Sequence, residues 1–286
     1  MLFIALLANL VSCGTHDIKH QANVGLTNSQ SSLQVKIASQ KVNALTPSFP
    51  IEVSYPYVLT GNMSHRDLLF WKAKIQRIQG ALRRQLFAAD PDKVITIWLF
   101  KDAESYTKYN RKLWSVVPPS NYGYYQPPAG RMAMNVGTGS GTLLHEIVHP
   151  YIEKNFPESP LWFNEGLASL YERSSSRFGR VLGLNNWRLG SLQAAIRSKS
   201  LMSLQKVMRG SDRAFYGINR NLNYAQARYL MFYLQSKGLL VKYYTLYRDN
   251  IKSDPFGIQS LLAVTGYTDM SELEVDWRQF VLKQRY

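Results

Sequence analysis

Between residues 50 and 136 the apolar positions change period several times, and each change marks a new element. Ile51 to Leu59 is dense in β-branched and aromatic residues and reads as a strand. From Asp67 to Phe87, Leu69, Ile75, Ile78, Leu82 and Leu86 recur at helical spacing. Val94 to Phe100 then alternates like a strand, and Asp102 starts another helix. A Tyr- and Pro-rich loop from Val116 to Pro128 leads to a short strand at Met132 to Val136 and then to Gly137-Thr138-Gly139-Ser140-Gly141. Beyond that loop the periodicity is helical, with segments at Tyr224 to Gln235, Phe256 to Val264 and Ser271 to Leu282. The expected class is α+β: a small N-terminal mixed sheet with helices, followed by a mostly helical C-terminal part.

The first residues are different in kind. Leu2 to Val11 is an apolar run interrupted only by Asn9, too short to span a bilayer and of the length of a signal-peptide core. From Gly14 to residue 48, Gln, Ser, Asn and Thr dominate, with only a short alternating stretch at Leu33 to Ile37, and this reads as a polar tether. The chain therefore divides into 1–13, 14–48 and one domain over 49–286.

Composition narrows the chemistry. At 286 residues and 45% hydrophobic content the domain can fill a core, and the single cysteine, Cys13, excludes an intrachain disulfide and any cysteine-rich metal knuckle. A metal would have to be held by His and carboxylates. The formal charge of +15 either favours anionic neighbours, such as an anionic membrane, cell-wall polymers or nucleic acid, or marks simply a basic, soluble surface. Nucleic acid is disfavoured as a partner, because the basic residues are scattered and no groove-reading or stacking motif accompanies them. Nucleotide binding at the glycine loop is disfavoured too. Thr142 stands where a dinucleotide fingerprint needs glycine, and no P-loop lysine follows.

The decisive segment is His145-Glu146-Ile147-Val148-His149, an H-E-x-x-H sequence. At 100° per residue, positions four apart lie about 40° from one another, so both imidazoles can converge on one ion. Leu144, Ile147, Val148 and Tyr151 form the stripe that buries the same helix. Pro150 removes a helical hydrogen bond directly after the second histidine, which predicts a kink or an end there. No histidine follows His149, so a third ligand must be a carboxylate, and Glu153, Glu158, Glu165 and Glu172 are downstream. Ser159 and Pro160 suit the start of a second helix that would carry Glu165 in its second turn and aim it back at the histidines. Gly166 beside it is a poor helix former, easier to understand if helices approach closely there.

Trp162-Phe163-Asn164-Glu165-Gly166-Leu167-Ala168-Ser169 resembles the second zinc motif of the gluzincins, both the membrane-alanyl-type aminopeptidases and the smaller peptidase-MA-like domains. Asn223-Tyr224-Ala225-Gln226-Ala227 is similar to their tyrosine motif. The three motifs span roughly Thr142 to Leu234 in the family's order. The resemblance implies a thermolysin-like zincin fold and one Zn2+ held by His145, His149 and Glu165. It also implies hydrolysis of peptide or protein substrates, with Glu146 as general base and the Tyr224 hydroxyl stabilising the oxyanion. Glu172, seven residues after Glu165, is either an acceptor that orients His145 or an ordinary helix carboxylate; Tyr224 is either that hydroxyl or an ordinary packed aromatic. There are departures as well. Arg131-Met132-Ala133-Met134-Asn135 lacks the glutamate with which the aminopeptidases read a free N-terminus, and the short interval from His149 to Glu165 favours the peptidase-MA-like group. Leu10-Val11-Ser12-Cys13 resembles a lipobox, although no Lys or Arg precedes the apolar run. It implies a lipid anchor on Cys13 in a bacterial cell envelope, with Gly14 permitting sorting to an outer membrane. The competing reading is a non-catalytic envelope-binding lipoprotein on a gluzincin scaffold.

Overall fold

The computed structural model describes residues 28–177 and 179–286; the apolar run, Cys13 and the first half of the tether lie outside the described residues. Helix α1 (Asn28–Leu45) is followed by β1 (Ile51–Ser54), β2 (Tyr57–Gly61), α2 (His65–Gln85), β3 (Ile95–Phe100), α3 (Ala103–Trp114), β4 (Gly123–Gln126), β5 (Arg131–Asn135) and α4 (Gly141–Asn155). The five strands form one sheet in the order β1-β2-β3-β5-β4. Strands β2, β3 and β5 are parallel, and the edges β1 and β4 are antiparallel to their neighbours.

Period-two alternation gives the sheet two apolar faces. Tyr57, Leu59, Ile95, Ile97, Leu99, Met132 and Met134 join the large core with α2 and α4, while Val58, Trp98, Phe100 and Ala133 form a smaller core. That smaller core corrects the tether reading for residues 28–45. Asn28–Leu45 is an 18-residue helix, and Val35, Ala38 and Val42 turn one side of it onto the sheet. The apolar residues that caught the eye, Leu33 and Ile37, are the exposed ones. A second correction is that Ile51 to Leu59 is a hairpin, since Pro56 has no N–H to donate and Ser54 pairs with Tyr57 across the turn. In α2 the buried face is Leu68, Trp71, Ile75, Ile78 and Leu82, while Leu69 is exposed; Ser64 and Asp102 cap α2 and α3.

The remainder is helical apart from one hairpin: α5 (Leu161–Leu170), β6 (Ser174–Arg177), β7 (Arg180–Gly183), α6 (Arg188–Arg197), α7 (Leu204–Met208), α8 (Asp212–Phe215), α9 (Arg220–Ser236), α10 (Leu240–Asp249), α11 (Ile258–Thr265) and α12 (Met270–Lys283). Among the described residues this is an α+β chain of twelve α-helices and a small mixed sheet, with the helices concentrated in the second half. The Ser174-Ser175-Ser176 hairpin carries no apolar alternation and so gave no strand signal. Helix α9 runs through the middle of the helical half, against α5, α6, α7, α10 and α12. The close approach expected at Gly166 exists, and its partner is α9: a Cβ there would lie 3.0 Å from the backbone of Ala227. That contact brings Glu165 and the Tyr224 turn of α9 together.

Candidate metal centre

The glycine loop turns the chain from β5 into α4, with Gly139 at φ 99°, a conformation that favours glycine. A Cβ on Gly141 would sit 2.8 Å from the Glu172 carbonyl oxygen, so glycine at the first residue of α4 lets the segment after α5 lie against it. Leu143, Ile147, Val148, Tyr151 and Ile152 bury α4, with Leu144 only partly buried. The opposite side carries His145 and His149, whose ring centroids are 4.8 Å apart at 72°. Pro150 does not end the helix as expected. The chain stays helical to Asn155, because buried residues before and after Pro150 hold both turns in the core.

Phe156, Phe163 and Tyr247 pack edge to face where the chain turns from α4 to α5, fixing the two helices as neighbours. Helix α5 begins one residue later than the Ser159-Pro160 reading implied. Pro160 itself takes the N-cap position and makes no side-chain cap, and Glu165 falls in the second turn as expected.

His145, His149 and Glu165 form a group that could hold a metal ion, with ligand atoms all within 4.8 Å of one another. Their hydrogen bonds leave the correct atoms free. His149 Nδ1 lies 2.6 Å from Asn164 Oδ1, which can only accept, so Nδ1 carries the proton and Nε2 keeps its lone pair. His145 Nδ1 faces Glu172 Oε1 at 3.5 Å, too long for a strong bond, and Nε2 lies 3.2 Å from Glu165 Oε2. Tyr216 donates its hydroxyl to Glu165 Oε1 at 2.8 Å, whereas Oε2 is buried without a hydrogen-bond partner. Glu165 Oε2 is thus buried without a hydrogen bond beside His145 Nε2, and its charge is balanced there by a proton on His145 or by a cation in its place. The donor set therefore fits a metal. Of the other carboxylates, Glu153 accepts from Tyr125 and Glu158 is exposed.

Glu172 lies behind His145. Its oxygens accept from Arg188 Nη2 at 2.8 Å, Arg188 Nε at 3.1 Å and Asn186 Nδ2 at 3.1 Å. Burial alone would push the His145 proton off, but Glu165, Glu172 and Glu146 outweigh it and hold the group at about 10. Burial likewise opposes charge on Glu165 and Glu172, yet His145 beside both, with Tyr216 and Arg188 respectively, keeps each carboxyl at about 2. Glu146 stands next to the centre, its Oε2 3.8 Å from His149 Nε2.

His145, Glu146, Glu172, Tyr216 and Tyr224 all line one cavity of about 920 Å³. Burial, then the Glu165 charge and Tyr216, pushes the Tyr224 hydroxyl far above its usual range, so it stays a neutral donor. The sequence reading had missed Tyr216, Asn164, Arg188 and Asn186. Asn164 was visible beside Glu165 in the chain, and a carboxamide adjoining a ligand is a recognisable histidine acceptor. Tyr216, one of 18 tyrosines, had no local signal. Tyr216→Phe is expected to weaken metal affinity by roughly tenfold, because Glu165 Oε1 loses the donor that fixes the carboxylate. A chelator-competition titration measures this, and an unchanged affinity would remove Tyr216 from the centre. No protein-family model matches the chain, and a search of the curated proteins finds no match.

Proposed function

We propose that the chain is a zinc-dependent peptidase of the gluzincin type, a thermolysin-like zincin of the peptidase-MA-like kind. One observation carries this reading: the His145, His149 and Glu165 group reaches, through His145 and with Glu146 beside it, a cleft of about 920 Å³. Two histidines and a carboxylate leave a coordination position open, which is the pattern of catalytic zinc. An ion held by His145, His149 and Glu165 would supply Lewis acidity to a bound water and a carbonyl oxygen. Glu146 accepts the proton of the attacking water and returns it to the leaving amine. Tyr224, neutral and donating, stabilises the negative charge that develops on the carbonyl oxygen. Glu172, clamped by Arg188, holds His145 in place, and Asn164 does the same for His149. Strand β4 is a sheet edge beside the cleft, and Asn121, Tyr122 and Gly123 line it, so an extended peptide has a backbone to pair with.

Stripping the metal with a chelator is expected to abolish peptide hydrolysis, and zinc is expected to restore it. Tyr224→Phe should lower turnover by about 10- to 100-fold with little change in substrate binding, since its hydroxyl is needed when the oxyanion forms. A Tyr224→Phe enzyme of undiminished kcat would return Tyr224 to a packing role. No described helix is long and apolar enough to cross a membrane. Attachment to the bacterial envelope is proposed to come from a lipid on Cys13. Full-length protein should incorporate labelled palmitate and Cys13→Ser should not; equal labelling would exclude this anchor.

A further inference from the structure

Five charged carboxylate and guanidinium groups line the cleft: Glu146, Glu172, Arg173, Arg188 and Arg220. Two of the arginines are left over. Arg188 is paired with Glu172, which accepts from its Nε and Nη2, and Glu146 faces His149. Arg173 donates to the Asn185 carbonyl oxygen and lies over the Tyr286 ring, and among the described residues it forms no ion pair. Among the described residues Arg220 is exposed and forms no ion pair. A metal in the centre adds two further positive charges to the same wall.

Arg220 is also placed where helix stability argues against it. It is the first residue of α9, at the end where a helix's own dipole is positive, and Asn219 before it makes no side-chain cap. Four residues later on the same face comes Tyr224. A rise of about 1.5 Å per residue puts the two about 6 Å apart along the axis. An extended peptide advances about 3.3 Å per residue, so a substrate that follows α9 past Tyr224 covers this distance in about two residues.

We propose that the cleft selects peptides bearing a carboxylate within about two residues of the cleaved bond, read by Arg220 and Arg173. The inference rests on the peptide-cleft reading of the site and adds the class of substrate. The carboxylate is an Asp or Glu side chain or a free C-terminus, since both present the same planar pair of oxygens to a guanidinium.

The test uses full-length, zinc-loaded protein and matched fluorescent peptides that carry Glu or Gln at successive positions, each with a free or an amidated C-terminus. Binding is read by anisotropy on Glu146→Gln, which does not consume the probe, and hydrolysis on the wild type. Losing the carboxylate is expected to weaken binding about tenfold, the usual worth of a charged hydrogen bond. The preference should shrink as salt is raised. In Arg220→Gln the discrimination should be largely lost while zinc content stays the same. An effect of Glu against Gln assigns the site to acidic side chains, and an effect of amidation assigns it to a chain end. Equal binding of charged and neutral peptides overturns the proposal, as does discrimination that survives in the Arg173→Gln, Arg220→Gln double variant. Cleavage without any carboxylate preference would overturn this inference and leave the peptidase standing. Carboxylate-dependent binding without cleavage of any peptide would do the reverse, and failure to bind or cleave any of the peptides contradicts both.

Discussion

Removing any one of His145, His149 or Glu165 by substitution with Ala is expected to empty the metal centre. Zinc in a site of this kind is held by three protein groups, so each removal leaves two donors and an extra water. Structural zinc sites are worth about 10–16 kcal/mol when complete, and losing one of three donors, about a third of such a value, lowers affinity by more than about a hundredfold. The damage spreads beyond the missing atom. In Glu165→Ala the Tyr216 hydroxyl loses its acceptor and His145 Nε2 loses the carboxylate 3.2 Å away. In His145→Ala the buried Glu172 keeps Arg188 as its counter-charge but has no imidazole to orient. Metal per chain after dialysis against a mild chelator measures the effect. Undiminished zinc in Glu165→Ala would transfer the third-ligand role to another carboxylate, of which Glu172 is the nearest to the histidines.

Glu146→Gln is expected to separate metal binding from catalysis. The amide has almost the shape of the carboxylate, and Glu146 is not among the three residues that could hold the metal, so zinc content should stay near that of the wild type. An amide does not take up a proton from water at neutral pH. The attacking water then keeps its proton and the leaving amine receives none from this side chain. Peptide hydrolysis should fall by at least about 100-fold, the usual worth of a general base. Retained activity would assign the proton to another group on the cleft wall.

How far the site was legible follows from where its parts sit in the chain. His145, Glu146 and His149 repeat at the helical period, so their convergence is written in five residues. Glu165 was within reach because the turn between α4 and α5 is short and Pro160 marks where the second helix starts. The orienting groups were harder to see. Tyr216 reaches Glu165 across 51 residues and Arg188 reaches Glu172 across 16, contacts fixed by packing around α9 and by the loop ahead of α6, not by any local period. The strand was readable because Ile95 to Phe100 is an almost unbroken run of β-branched, aromatic and aliphatic residues, as a strand packed against a core on each face requires. Helix α1 escaped because its buried side consists of Val35, Ala38 and Val42 among polar residues, too sparse to stand out from a tether. The hairpin after α5 escaped because serines carry no face preference.

The most direct test compares wild-type protein and Glu146→Gln at equal zinc occupancy on one mixed peptide library, with products identified by mass spectrometry. The expected result is cleavage by the wild type that also reports whether internal or terminal bonds are cut, and none above background by Glu146→Gln. Wild-type protein that holds zinc through His145, His149 and Glu165 yet shows no Glu146-dependent cleavage of any peptide would contradict the peptidase and leave an envelope-binding scaffold in its place.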